Sequence, residues 1–305
     1  MARLVQQLVN GAVLGATIGL IALGYTMVYG IIQLINFAHG EVFMVGAFAG
    51  LAAYRYVLPD SVTGNVPLTL AVVLLAAMVA SVATALVLER LAYRPLRNAP
   101  RLAPLISAIG ASIALQEAVR LFYPGGNRTQ SFPRIIPTGT FNIGGVAVAW
   151  TSVFAVATAV VLMVALEMFV NRTRVGKAMR ATSQDPDTAK LMGIDTDRMI
   201  ILAFVLGGAL AGVAGVIQGI RFISIDPQIG FAAGISAFTA AVLGGIGNIR
   251  GAVLGGFLLG IVQALAIEYL PRGSDWKDVW AFVVLILVLT ARPQGLLGER
   301  VGART

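Results

Sequence analysis

The chain is a succession of long apolar stretches separated by short polar breaks, not the alternation at a period of two or of three to four that marks half-buried elements. A membrane-crossing helix needs about 20 mostly apolar residues. Cutting the charge-free stretches at turn residues and polar clusters leaves segments at residues 8–30, 42–58, 66–88, 102–123, 146–170, 199–220, 231–249, 252–269 and 279–291. The pattern predicts an all-α integral membrane protein, a polytopic helical bundle of about 8 to 9 membrane segments in a single domain, spanning residues 1–305. The open point is the first pair, where GIIQLINFAHG, residues 30–40, is apolar enough for membrane depth yet holds Asn36 and His39. Nine full crossings place the termini on opposite sides; a re-entrant first pair places them on the same side.

Composition agrees with this reading. The 305 residues are 58% hydrophobic and 12% charged, against about a quarter charged in soluble domains, and the mean hydropathy is +0.86. There is no cysteine and one histidine, His39, so disulfides, thiolate sites and multi-histidine metal cages are all excluded. The net charge of +8 suggests nucleic acid in a soluble chain, but in a membrane chain it reports topology, because Lys and Arg collect in cytoplasmic loops. Arg90, Arg94, Arg97 and Arg101 flank one basic loop, and Arg172, Arg174, Lys177, Arg180, Lys190 and Arg198 flank another two segments later. With Arg250, Arg292, Arg300 and Arg304 they place both loops and the C-terminus inside.

Residues 124–145 and 271–278 then read as external loops. The basic loop at about 171–198 is cytoplasmic. Within it Asp185 can cap a short helix, Pro186 suits its first position and Gly193 can end it. Leu191, Met192 and Ile194 would be exposed beside charges. Such an element is either a solvated amphipathic connector or a docking helix for a soluble partner.

Polar groups at membrane depth are costly unless protein or water satisfies them, so Ile35 to Glu41, INFAHGE, is the leading functional candidate. Asn36, His39 and Glu41 would face a subunit interface or an aqueous path, Glu41 serving as support at a helix start. Asp226 and Pro227 form a second interruption, raising a distant repeat. The 35 glycines recur at four-residue spacing, as in Gly11, Gly15 and Gly19 or Gly256 and Gly260, the signature of close helix packing in a bilayer. Lys177 lacks the earlier glycine and the following hydroxyl residue of a phosphate loop, and no zinc-protease or serine-elbow motif is present. An enzyme has no nucleophile or metal constellation to use. An ATP-independent transporter would have to rely on Glu41, Glu117 or Glu268.

LGYTMVYGIIQLINFAHGEVFMVGAF, residues 23–48, resembles the N-terminal region of LivH-type permeases, the membrane subunits of branched-chain amino acid ABC importers. VGKAMRATSQDPDTAKLMGID, AFVLGGALAGVAG, AAVLGGIGNIRGAVLGG and RPQGLLG extend the resemblance over most of the chain. It implies a type II ABC importer-like fold and a heterodimer with an M-type permease in the bacterial cytoplasmic membrane. It also implies two cytoplasmic ATPase subunits holding ATP and magnesium, and a periplasmic protein delivering leucine, isoleucine or valine. Relatives of this kind also carry urea, short amides or other amino acids. Asp185, Ala189, Leu191, Met192 and Gly193 match the family's ATPase-coupling element, and the small Ala189 is expected to let a partner surface approach. This chain itself should hold no cofactor, metal or nucleic acid.

Overall fold

In the computed structural model, which describes residues 2–97, 99–100, 102–137 and 139–298, the apolar stretches are helices. Arg101, Arg300 and Arg304 of the charge count lie outside the described residues. In lipid a backbone must satisfy its own hydrogen bonds, which leaves the helix as the only open-chain solution. Among the described residues six helices are long and apolar enough to cross a membrane: α1 (Ala2–Ile32), α4 (Val66–Leu88), α5 (Leu102–Phe122), α6 (Trp150–Arg172), α9 (Thr196–Phe222) and α11 (Ile249–Tyr269). Three others are apolar but shorter or more polar: α2 (His39–Ala52), α10 (Ile229–Gly244) and α12 (Gly273–Ala291). Small helices complete the chain, α3 (Asp60–Thr63), α7 (Arg174–Gln184) and α8 (Pro186–Leu191), and π-helical turns extend α2 to Val57 and α4 to Tyr93.

Several boundaries differ from the sequence reading. Residues 146–149 are not membrane helix but β3 (Val146–Ala149), paired with β2 (Thr140–Ile143) around Gly144 and Gly145, whose positive φ angles make the tight turn. The stretch 231–249 is broken after Gly244, where Gly245 and Gly247 take positive φ. Most of 271–278 is the first turns of α12, because Gly273 opens a helix ahead of its charged residues.

The helices are ordered around α1. It runs antiparallel to α11 along a seam of small residues: a Cβ on Gly15 would lie 2.6 Å from Phe257 Cα, and one on Gly11 2.6 Å from Ile261 Cα. Close backbone approach of this kind holds helices together where lipid removes the hydrophobic drive between them. The start of α1 lies at the end of the bundle opposite the Arg-rich loops. There Gln6 exchanges hydrogen bonds of 3.0 and 2.8 Å with Ala147 of β3, and Gln7 donates to Glu268 at 3.0 Å.

The packing also repeats. α1 lies along α11 as α9 lies along α4; α2 packs on α9 and α4 as α10 packs on α1 and α11; α2 touches α5 as α10 touches α12. The set α1, α2, α4, α5 thus recurs as α9, α10, α11, α12 with reversed direction, α6 to α8 joining the two.

Candidate functional site

Each half interrupts its first long helix in the same way. After α1 the chain turns through Gln33 with φ 53°, and after α9 through Ile223 with φ 56°. Three residues further on, Asn36 Oδ1 accepts from Ala38 N at 3.1 Å, and Asp226 Oδ1 accepts from Gln228 N at 2.8 Å. These side-chain turns replace backbone bonds that the broken helix gives up. The next helix begins in both, and Gly40 of α2 meets Gly230 and Gly234 of α10 so closely that neither Gly40 nor Gly230 has room for a Cβ. The two interruptions seen separately in the sequence are therefore one place in the fold.

The three polar residues of the first break are 2% (Asn36), 1% (His39) and 0% (Glu41) exposed. Asn36 Oδ1 also accepts from Tyr93 at 3.0 Å, and the same hydroxyl lies 3.3 Å from Ile35 O. Tyr93 stands in the π-helical extension of α4, a local rewinding that often marks functional positions. His39 packs edge-on against Tyr25 with ring centroids 4.9 Å apart and fills the space beside Gly24 and Gly207. Glu41 Oε1 accepts from Ser112 at 3.1 Å and Gln116 at 2.7 Å, both on α5. Its Oε2 lies against Gly230 and has no hydrogen-bond partner among the described residues. All three side chains are buried against this chain's own helices, which differs from the sequence reading that has them facing a subunit interface or an aqueous path. Tyr25, Tyr93, Ser112 and Gln116 do not figure in the sequence reading; the available signal is Ser112 and Gln116, four apart and so on one face of α5. The two other carboxylates weighed for coupling are engaged near helix ends, Glu117 with Arg120 at 3.3 Å and Glu268 with Gln7 at 3.0 Å.

At the Arg-rich end, Asp185 caps α8, accepting from Asp187 N at 3.1 Å and Thr188 N at 3.0 Å, with Pro186 in the first turn. Gly193 ends it with φ 81°, and Ile194 N returns to Ala189 O at 3.0 Å. Leu191 and Met192 are 87% and 78% exposed. Ala189 is buried within the chain, however, so its small side chain serves the packing of α8 on its own subunit and does not face a partner, which corrects the expectation. Close by, Arg97 bridges Glu89 and Asp197, the latter at 2.5 Å, tying the end of α4 to the start of α9.

A membrane bundle with two facing helix breaks and a capped, apolar-tipped helix on one end has the form of a membrane transport subunit, and comparison with known proteins gives its family. The family described as branched-chain amino acid transport system, permease component, matches residues 7–289, and the chain belongs to it. The high-affinity branched-chain amino acid transport system permease protein BraD of Pseudomonas aeruginosa is 46% identical over 298 residues, 96% of this chain and 95% of its own. LivH of Escherichia coli K12, with the same description, is 46% identical over 300 residues, again 96% and 95%. Among solved structures, PsaBC from Streptococcus pneumoniae in complex with Fab superposes with a TM-score of 0.50 at 12% identity, over 92% of this chain and 90% of that one, which shows a shared fold.

Proposed function

We propose that this chain is half of the translocation unit of an ATP-driven, type II importer of leucine, isoleucine and valine in a bacterial cytoplasmic membrane. Near-full-length identity of 46% to BraD and LivH carries this reading. The second half is an M-type permease, a periplasmic binding protein supplies the amino acid, and two cytoplasmic ATPase subunits hold ATP and magnesium. The residues 1–305 form one permease domain with nine passages, α2, α10 and α12 included, the start of α1 outside and the Arg-rich loops inside. Asn36, His39 and Glu41 serve translocation by holding the two breaks in register from within the subunit. The loop 171–198 is the coupling element, in which Asp185 and Gly193 set the ends of α8, Ala189 seats it, and Leu191 with Met192 meets an ATPase.

Reconstitution tests this directly. The purified chain alone hydrolyses no ATP, and ATP-driven leucine uptake appears only with all partners. Leu191→Asp with Met192→Asp lowers uptake at least about tenfold, the loss of roughly 1.4 kcal/mol of contact, while insertion is kept; unchanged uptake leaves the loop a connector. Because the chain has no cysteine, single cysteines report sides cleanly. Ser274→Cys labels from outside with an impermeant thiol reagent and Ser183→Cys does not, and the reverse overturns the orientation.

A further inference from the structure

At the end of the bundle opposite the Arg-rich loops, a cavity of about 280 Å³ opens between the last turns of α5 and the second break. It is at the small end of ligand pockets, which run to about 300–1,000 Å³. Gln116, Glu117, Arg120, Arg128, Asp226 and Gln228 line it. Its wall is built, not accidental: β1 (Gln130–Ser131) pairs with β4 (Ser224–Ile225), and Arg55 clamps the turn with bonds of 2.8 Å to Gln130 Oε1 and 2.9 Å to Ser131 O. Glu117 and Arg120 pair with each other at 3.3 Å. Arg128 and Asp226 form no ion pair among the described residues, the Asp226 carboxylate accepting only from Gln228 N at 2.8 Å.

We propose that this cavity is an outer vestibule that receives the zwitterionic head of a free α-amino acid, with Arg128 on its carboxylate and Asp226 on its ammonium. This rests on the reading of the chain as an amino-acid permease. Two cations and two carboxylates balance one another, so an anion or a cation alone would meet one matched and one repelling group, whereas a zwitterion matches both. The primary amides of Gln116 and Gln228 can donate to a carboxylate or accept from an ammonium. Pro227 is the one apolar side chain in the lining, so the vestibule reads the head group and leaves the aliphatic side chain unread. The vestibule also touches the breaks. Gln116 both lines it and donates to Glu41, and Asp226 starts the turn that leads to Gly230 behind Glu41.

The test uses the assembled complex in nanodiscs with Thr129→Cys, a lining position in a chain without other thiols. Leucine, valine and alanine slow maleimide labelling with half-protection concentrations within about threefold of one another, while leucinamide and 4-methylpentanoate, each lacking one charge, protect at least about tenfold less well. Asp226→Asn keeps the turn acceptor and, like Arg128→Gln, raises the half-protection concentration about tenfold. Equal protection by 4-methylpentanoate overturns the proposal, as does absence of protection at any leucine concentration. So does protection that follows phosphatidylethanolamine in the disc without added amino acid, which assigns the cavity to a lipid head group. Leucine uptake by the same complex is measured in parallel: uptake without protection rejects the vestibule alone, and absence of leucine uptake with every partner present rejects the permease reading itself.

Discussion

The two helix breaks share a backbone and differ in their surroundings. Gln33 and Ile223 turn alike, Asn36 and Asp226 close the same side-chain turn, and Gly40 and Gly230 meet face to face. Yet Asn36 is sealed in protein under the Tyr93 hydroxyl, while Asp226 lies on the wall of an open cavity. The amide is at the dry turn and the carboxylate at the wet one, as the cost of burying a charge requires. One geometry can therefore be locked on one side of the bundle and open to solute on the other.

The strongest way to break this comparison is at the contact the halves share. Gly230→Val places carbon on Gly40 O and Glu41, and the collision should cost more than about 3 kcal/mol. The expected result is loss of assembled complex on size exclusion; a complex of normal yield and uptake would show that the breaks need not touch.

Exchanging the turn residues sharpens the comparison. Asn36→Asp puts a carboxylate where the site is 2% exposed and should destabilise by about 2 to 3 kcal/mol, seen as a lowered Tm of the detergent complex. Asp226→Asn keeps the acceptor in a half-buried site and should shift stability by less than about 0.5 kcal/mol. Equal effects would mean that the surroundings of the two breaks do not differ as described.

The smallest effect belongs to Tyr93→Phe, which removes one hydroxyl bond to Asn36 and should cost about 1 kcal/mol. Combined with Asn36→Leu the losses should be less than additive; strict additivity would uncouple the π-helical turn from the first break.

Much of this was legible in the chain. Polar INFAHGE and IDPQIG stand out against apolar surroundings because burial of polar groups is expensive, and the glycine ladders announce close seams before any partner is known. Asp185, Pro186 and Gly193 act through neighbours a few residues away, so their roles as cap, first turn and stop follow from local chemistry. What stayed hidden depends on tertiary neighbours. Tyr93 reaches Asn36 from another helix through a π turn, Glu41 is held by Ser112 and Gln116 of α5, and the direction in which Ala189 points is set by its own subunit. The likeness of the breaks is likewise conformational: Asn36 and Asp226, or Gln33 and Ile223, share angles and bonds but little side-chain identity.

The seam between α1 and α11 bears on how the chain is made. In α1, 89% of the spanning window is buried, against 17% in α5, so α1 is the centre of the finished bundle. Its covering helix lies far along the chain, so the close contacts of Gly11 and Gly15 form only once Ile249–Tyr269 has been made. Until then α1 lacks the close backbone contacts that hold helices together in lipid. A chain cut short before α11 therefore loses its packing at α1, far in sequence from the missing residues.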